Sequence, residues 1–268
     1  MPELPDVEEF RQYFQATSLH QRVAEVDVRS QQLLESIQPA ALRDALQGRS
    51  FEEADRHGKY LLAHMDGGRW LELHFGMSGY LTYFKNAADD PEYDRMLITF
   101  ENGYHLAYVS QRKLGEIDII DEIGDLIEEK DLGPDVMSES FDLDAFKACL
   151  ADRRGMIKSA LMDQSLMAGI GNVYSDEILF QAQIHPRTQV QALDMSTVEG
   201  LYETMREVLR VATDALVGED GFPDSYLTPH HAQDGECPLC GELLQRVKVS
   251  GRSAYFCPNR QGKPQGGN

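Results

Sequence analysis

The stretch Ile157-Lys158-Ser159-Ala160-Leu161-Met162-Asp163-Gln164-Ser165-Leu166-Met167-Ala168-Gly169-Ile170-Gly171-Asn172-Val173-Tyr174-Ser175-Asp176-Glu177 decides how this chain is read. Residues 156–162 and 172–183 carry helical periodicity, and Gly169-Ile170-Gly171 separates them. Two glycines therefore feed a helix that starts at Asn172. Backbone amides and an Asn side chain at a helix start form a ready phosphate site. A plain helix–turn–helix with a glycine C-cap also explains the glycines and the Asn, but leaves the rest of the stretch unaccounted for.

Outward from that stretch, residues 144–153 and 195–217 are also helical in pattern, and the tail from Gly235 is short-stranded and rich in Gly and Pro. Toward the N-terminus the pattern changes. A first helix runs from Pro5 to about Ser18, with Val7, Phe10 and Phe14 on one face. Residues 23–28, 60–65, 70–75, 81–84, 96–100 and 104–109 are short strand-like runs, with a short helix over 38–46. Asp66-Gly67-Gly68 and Glu101-Asn102-Gly103 are hairpin turns in this reading. The first half is thus a β-sandwich or barrel with marginal helices. The fold class is α+β.

The 268 residues carry a net charge of -20. That balance points away from nucleic acid, whose phosphates are bound by Lys and Arg. The charge is uneven, however. Residues 116–145 hold 12 acids and one base, net -11, and the acidic stretch from about Asp121 to Asp144 reads as a solvated linker. Residues 237–268 hold five bases and one acid, net +4. Seventeen Arg against eight Lys favour forked phosphate contacts over point charges. No apolar run approaches the ~20 residues of a membrane span. With no basic-then-apolar leader and few cysteines, a reducing cytoplasm is the expected compartment.

The tail holds Cys237-Pro238-Leu239-Cys240, then 16 residues, then Cys257-Pro258-Asn259-Arg260. Two CxxC pairs at this separation would signal a zinc finger, but Arg260 stands where a fourth cysteine would be. Cys237, Cys240 and Cys257 can hold Zn2+ with His230, His231 or water as the fourth donor. Equally, the hairpin folds without metal. Between them, Val249-Ser250-Gly251-Arg252-Ser253 presents an Arg from a turn, as a phosphate clamp would. The chain opens Met1-Pro2-Glu3-Leu4-Pro5-Asp6-Val7-Glu8. With Met1 removed, Pro2 carries a free secondary amine that can attack an electrophilic sugar carbon and form an iminium. Glu3 beside it can move protons. A frayed terminus is the plainer account of those eight residues alone.

Five motifs occur in one order: Met1-Pro2-Glu3-Leu4-Pro5-Asp6-Val7-Glu8; Gly58-Lys59-Tyr60-Leu61-Leu62; His74-Phe75-Gly76-Met77-Ser78-Gly79; Asp163-Gln164 with Gly169-Ile170-Gly171-Asn172-Val173-Tyr174-Ser175-Asp176-Glu177; and the cysteine hairpin. In this the chain resembles the formamidopyrimidine-DNA glycosylase / endonuclease VIII family, over nearly its whole length. The resemblance implies a bifunctional DNA glycosylase and abasic-site lyase acting on damaged double-stranded DNA, as a monomer and near the nucleoid. It implies four parts: a catalytic β-sandwich over 1–120, an acidic linker over 121–143, a helix–two-turn–helix domain over 144–232, and a zinc-finger-like hairpin over 233–268. It makes Pro2 the nucleophile and Glu3 the acid/base. Lys59 and Arg252 complete the catalytic set. Met77 becomes the void-filling residue, with Arg112 and Leu114 facing the orphaned base. Lys158, Asn172 and Arg252 contact DNA. No organic cofactor is implied.

The departures bear on the substrate. Leu114 stands where the formamidopyrimidine branch has an aromatic wedge, and Glu92-Tyr93-Asp94-Arg95 replaces a Lys-His-Asp-His run. Phe222-Pro223-Asp224-Ser225-Tyr226-Leu227-Thr228 leads into the finger by a short route, where that branch has a longer lesion-capping loop. Preference for oxidised pyrimidines or abasic sites, and a non-catalytic damage-binding protein, are the alternatives to an oxidised-purine glycosylase.

Overall fold

The computed structural model describes residues 1–218, 221–232 and 235–266. The chain divides into two compact units, Met1–Pro2 with Asp6–Lys130, and Glu3–Pro5 with Asp131–Asn268. The expected boundary at residue 233 lies outside the described residues. Among the described residues, no helix is long and apolar enough to cross a membrane.

The first unit contains helix α1 (Leu4–Ser18, from Asp6 onward), β1 (Val23–Val28), α2 (Pro39–Leu46), β2 (Phe51–His57), β3 (Tyr60–Met65), β4 (Trp70–His74), β5 (Tyr80–Phe84), β6 (Asp94–Phe100), β7 (His105–Val109), β8 (Glu116–Ile120) and α3 (Ile123–Glu129). The strands form two antiparallel sheets, β1-β6-β7-β5 and β2-β3-β4-β8. Val26, Ile98 and Leu106 from one sheet share a core with Leu61, Leu71 and Leu73 from the other. Val7 and Phe14 of α1 and Leu42 and Leu46 of α2 close it. This is the sandwich expected from alternating short strands. The hairpins fall where Gly dictates: Gly68 at φ +79° and Gly103 at φ +82°.

Two strands lie outside the runs read from sequence. β2 reads Phe-Glu-Glu-Ala-Asp-Arg-His, buries only Phe51 and Ala54, and has an irregular register between Phe51 and Glu53. Edge position and the bulge erase the period-two signal. β8 interleaves Glu116 and Asp118 with Ile117, Ile119 and Ile120, just ahead of the stretch read as linker. The acidic stretch also contains α3, whose start is closed by reciprocal Glu122 and Asp125 capping contacts.

The second unit contains α4 (Leu143–Ala151), α5 (Ile157–Leu161), α6 (Asn172–Gln181), α7 (Met195–Val217), the hairpin β9 (Gln245–Val249) and β10 (Arg252–Phe256), and α8 (Pro258–Gln261). Helix α7 begins where Asp194 accepts the Thr197 amide (2.8 Å). It buries Val198, Leu201, Met205, Val208, Leu209 and Ala212, a stripe at helical spacing. Each large side chain in that stripe contributes about 1.5–3 kcal/mol of burial. Helix α6 is different: Tyr174, Ser175, Asp176, Glu177, Ile178, Leu179 and Phe180 are all buried. A helix enclosed on every side must have its polar side chains met by partners. Those partners build the site.

Candidate functional site

In the second unit the Gly-Ile-Gly-Asn entrance to α6 is filled by a carboxylate. Glu3, 1% exposed, accepts hydrogen bonds from the backbone N–H groups of Gly171 (2.8 Å), Val173 (2.8 Å) and Tyr174 (3.1 Å). The helix start is an anion site, as its sequence predicts, but the anion it holds is the chain's own Glu3. Glycine is required here. A Cβ on Gly171 would stand 2.3 Å from Glu3 Cδ, and one on Gly169, at φ +124°, would stand 2.5 Å from Leu4 Cδ1. The Leu4 N–H donates to the Gly169 carbonyl (3.0 Å), and Gln164 spans the turn by accepting from the Gly169 N–H (3.1 Å) and donating to the Ile170 carbonyl (2.8 Å). The Asn172 side chain is half-buried, and its Oδ1 is buried without a hydrogen-bond partner.

Lys158 requires a correction. The resemblance makes it a DNA contact, yet its side chain is fully buried. Its Nζ donates to the Asn172 carbonyl (2.9 Å), Ser175 Oγ (2.9 Å) and Asp176 Oδ1 (2.6 Å). Burial pushes its ammonium down from the usual lysine range, against the opposing pull of Asp176. With all three donors committed inside the protein, Lys158 positions the start of α6. Asp176 Oδ2 meets His231 Nε2 (2.8 Å) and accepts from the Tyr255 N–H of the hairpin (3.0 Å). Glu177 accepts from the Leu227 and Thr228 amides (3.2 and 2.7 Å) and from Thr228 Oγ1 (2.7 Å). The Phe222-to-Thr228 segment therefore ends as a strap pinned to α6.

Arg252 begins β10 after the Ser250-Gly251 turn, where both residues have positive φ, and is exposed. Its Nη1 lies 3.7 Å from Met162 Sδ, and Ser250 Oγ is 2.7 Å from Ser159 Oγ of α5. Glu3, Lys158, Asn172 and Arg252 are thus gathered around α5, α6 and the hairpin. Sequence reasoning picked out Asp176 and Glu177 only as letters of a motif. Their buried position on an apolar helix is the signal that they are anchors.

In the first unit Pro2 is half-buried and Met1 is exposed. Lys59 occupies the β2–β3 turn after Gly58 (φ +56°) and is 8% exposed. Arg56 Nη1 donates to the Gly58 carbonyl (3.0 Å), and its Nε contacts Glu8 of α1 (3.3 Å). That link from α1 through Glu8 and Arg56 steadies the turn carrying Lys59. Nothing in periodicity or spacing announces it. Met77 lies on the β4–β5 turn and Leu114 on the β7–β8 loop, 43% and 49% exposed, with Arg112 exposed beside Leu114. The two loops touch through glycine: a Cβ on Gly76 (φ +57°) would stand 2.3 Å from the Leu114 carbonyl oxygen. The structure so brings Met77 and Leu114 to neighbouring tips, while Lys59 sits on a separate turn.

The chain matches three family models in order: the formamidopyrimidine-DNA glycosylase N-terminal domain over residues 1–117, the formamidopyrimidine-DNA glycosylase H2TH domain over 132–220, and the zinc finger found in FPG and IleRS over 235–259. It is 34% identical to the formamidopyrimidine-DNA glycosylase of Symbiobacterium thermophilum, with 99% of this chain and 91% of that protein covered. It is 30% identical to that of Streptococcus pneumoniae, with 97% and 99% covered. The chain belongs to the formamidopyrimidine-DNA glycosylase family. Among solved structures, Lactococcus lactis Fpg bound to DNA containing N7-benzyl-Fapy-dG superimposes with a TM-score of 0.87 at 28% identity, over 98% of this chain and all of that one. The same protein bound to abasic-site DNA superimposes equally well. The chain is accordingly a DNA-repair glycosylase, an enzyme of that family.

The zinc-finger match is compatible with the donors present. Cys240 and Cys257 place their sulfurs 3.6 Å apart, and with Cys237 all three lie within 4.8 Å of one another. Zn–S bonds of ~2.3 Å set tetrahedral sulfurs ~3.8 Å apart, so the thiols suit one structural Zn2+. His231, one of the expected fourth donors, is committed to Asp176. A second acidic group, Glu35, Glu72 and Glu116, surrounds the Lys130 ammonium, which contacts Glu35 and Glu116 (3.2 Å). Its charge is partly met inside the protein.

Proposed function

We propose that this glycosylase is bifunctional: Pro2 removes an oxidised base and nicks the strand. The reading rests on the carboxylate of Glu3, held by three backbone amides in the residue next to Pro2. Adjacent residues keep their Cα atoms about 3.8 Å apart, so fixing Glu3 also restrains the amine. With Met1 removed, the Pro2 nitrogen attacks C1′ of the damaged nucleotide. A C–N bond forms, and the glycosidic bond breaks as the base leaves with a proton. Opening of the sugar gives an iminium. Loss of a C2′ proton then expels the 3′ phosphate and leaves a nick. Glu3 is the group at hand to move those protons. Zinc, when bound to the three cysteines, supplies folding energy to the hairpin and no chemistry.

Lys59, Asn172 and Arg252 are the phosphate contacts in this proposal, and Met77, Arg112 and Leu114 fill the gap that a flipped base leaves. Flipping costs a few kcal/mol of stacking, which an apolar wedge offsets in part. The intended lesions are oxidised purines and ring-opened formamidopyrimidines. The short strap pinned by Glu177 favours ring-opened lesions over those needing a mobile cap. The four-part division at residues 120, 143 and 232, and a nucleoid-associated monomer in the cytoplasm, complete the proposal.

Duplexes carrying a formamidopyrimidine, 8-oxoguanine, an oxidised pyrimidine or a plain abasic site test it by base release and strand incision. Release and nicking fastest on the formamidopyrimidine duplex support the reading. Nicking of the abasic duplex alone makes the protein a lyase only, and no product on any duplex makes it a binder.

A further inference from the structure

The hairpin has three thiols where a closed structural zinc site has four donors. Among the described residues, no further His, Cys, Asp or Glu atom joins Cys237, Cys240 and Cys257 within the 4.8 Å that groups them. Three side chains nearby are engaged elsewhere. His231 Nε2 lies on Asp176, with its ring edge-on to Tyr255 (4.7 Å between centroids). Asn259 donates to Glu242 (3.1 Å). Arg260, at the fourth position of the spacing, lies with its guanidinium carbon 5.5 Å from the centroid of the Phe180 ring, and its Nε is buried without a hydrogen-bond partner. A cation over an aromatic face is attracted by the ring quadrupole, which gives Arg260 its own reason to be there. Cys240 is exposed, whereas Cys237 and Cys257 are buried, so the triad reaches solvent on one side.

We infer that the hairpin holds its metal through Cys237, Cys240 and Cys257 alone, and that the fourth position is a binding site for a small exogenous donor. The donor is water, or an imidazole or thiol that displaces it. Three protein ligands with an exchangeable fourth position is the arrangement of reactive zinc sites, not of structural ones. The hairpin tolerates it because other contacts seat it. Gln261 accepts from the Cys257 N–H (2.8 Å) and donates to the Ile184 carbonyl (2.8 Å). Phe180, Leu227, Leu244, Cys237 and Cys257 form a small apolar cluster beneath.

Cobalt substitution of the full chain tests this without reference to activity, because the visible bands of Co2+ report its donors. With one equivalent of Co2+ and a non-thiol reductant, added imidazole shifts the wild-type bands and saturates. Arg260→Ala keeps that response. Arg260→Cys closes the site: it binds Co2+ about a hundred-fold more tightly, as a fourth thiolate should, and its bands ignore imidazole. Wild-type bands that imidazole leaves unmoved would overturn the inference, as would failure to bind one equivalent of Co2+. Both readings come from the wild type, so they stand whether or not Arg260→Cys folds.

Discussion

Glu3 and Glu72 are both buried carboxylates, 1% and 2% exposed, and the protein treats them in opposite ways. Glu3 sits in the amides at the start of α6, where three N–H donors hold it. Glu72 points from β4 toward Glu35 and Glu116, and its Oε1 has no hydrogen-bond partner. Burial, reinforced by Glu35, Asp118 and Glu116 against the pull of Lys130, pushes its carboxyl up to about 8. A preorganised carboxylate is ready for chemistry; an unsupported one takes up a proton. In the second unit the buried Lys158, Asp176 and Glu177 around α6 are partnered in the same way.

The network's most costly member to lose is Lys158. Lys158→Met leaves Asp176 buried beside a weaker set of partners, and removing one member of a buried pair costs about 3–5 kcal/mol. A thermal or denaturant melt should show that loss, and Asp176→Asn in the same chain should recover part of it. A melt unchanged by Lys158→Met would break the claim that this pair anchors α6.

Gly171→Ala strikes Glu3 directly, because its Cβ meets the carboxylate at 2.3 Å. Displacement on the order of an ångström costs roughly a hundred-fold in rate. Incision of an abasic duplex under single-turnover conditions should fall by that factor, while a melt shows a loss of about 1–3 kcal/mol as the buried carboxylate leaves its donors. Near-normal incision would mean that Glu3 need not be held.

Glu72→Gln should do the reverse and stabilise. The folded carboxyl near 8 lies above its unfolded value near 4.5, so the wild type holds a proton longer when folded and loses stability as pH rises through that window. Gln cannot ionise. The variant's advantage should therefore grow from about pH 4.5 to pH 8 and reach no more than a few kcal/mol, at about 1.4 kcal/mol per pKa unit. Parallel stability profiles for the two proteins would show that Glu72 is supported after all.

The smallest effect belongs to the exposed tips. Leu114→Phe adds a stacking face, worth about 0.5–1.5 kcal/mol beyond its area. Binding to a duplex with an abasic site should tighten several-fold and depend more on the opposite base. Unaltered binding would separate Leu114 from the DNA.

Much of this was legible in the sequence, and the failures have physical causes. Gly169-Ile170-Gly171-Asn172 marked the start of α6, because glycine at a tight approach leaves few other readings. What fills that start was not legible, since Glu3 lies 168 residues from Gly171 and no local pattern links them. Lys158 carried a positive charge and so read as a phosphate contact; only burial shows its donors turned inward. Strand β2 was hidden by its charged edge, and α3 by the acidity of its surroundings. Arg260 was visible as a missing cysteine, and Phe180 beneath it was not.

The central claim is that Pro2 is the nucleophile, and borohydride trapping on abasic-site DNA tests it most directly. Protein with Met1 removed should give a covalent protein–DNA adduct that is lost in Pro2→Gly or when the terminal amine is blocked. Undiminished trapping in Pro2→Gly, or no adduct with the processed wild type, would contradict it.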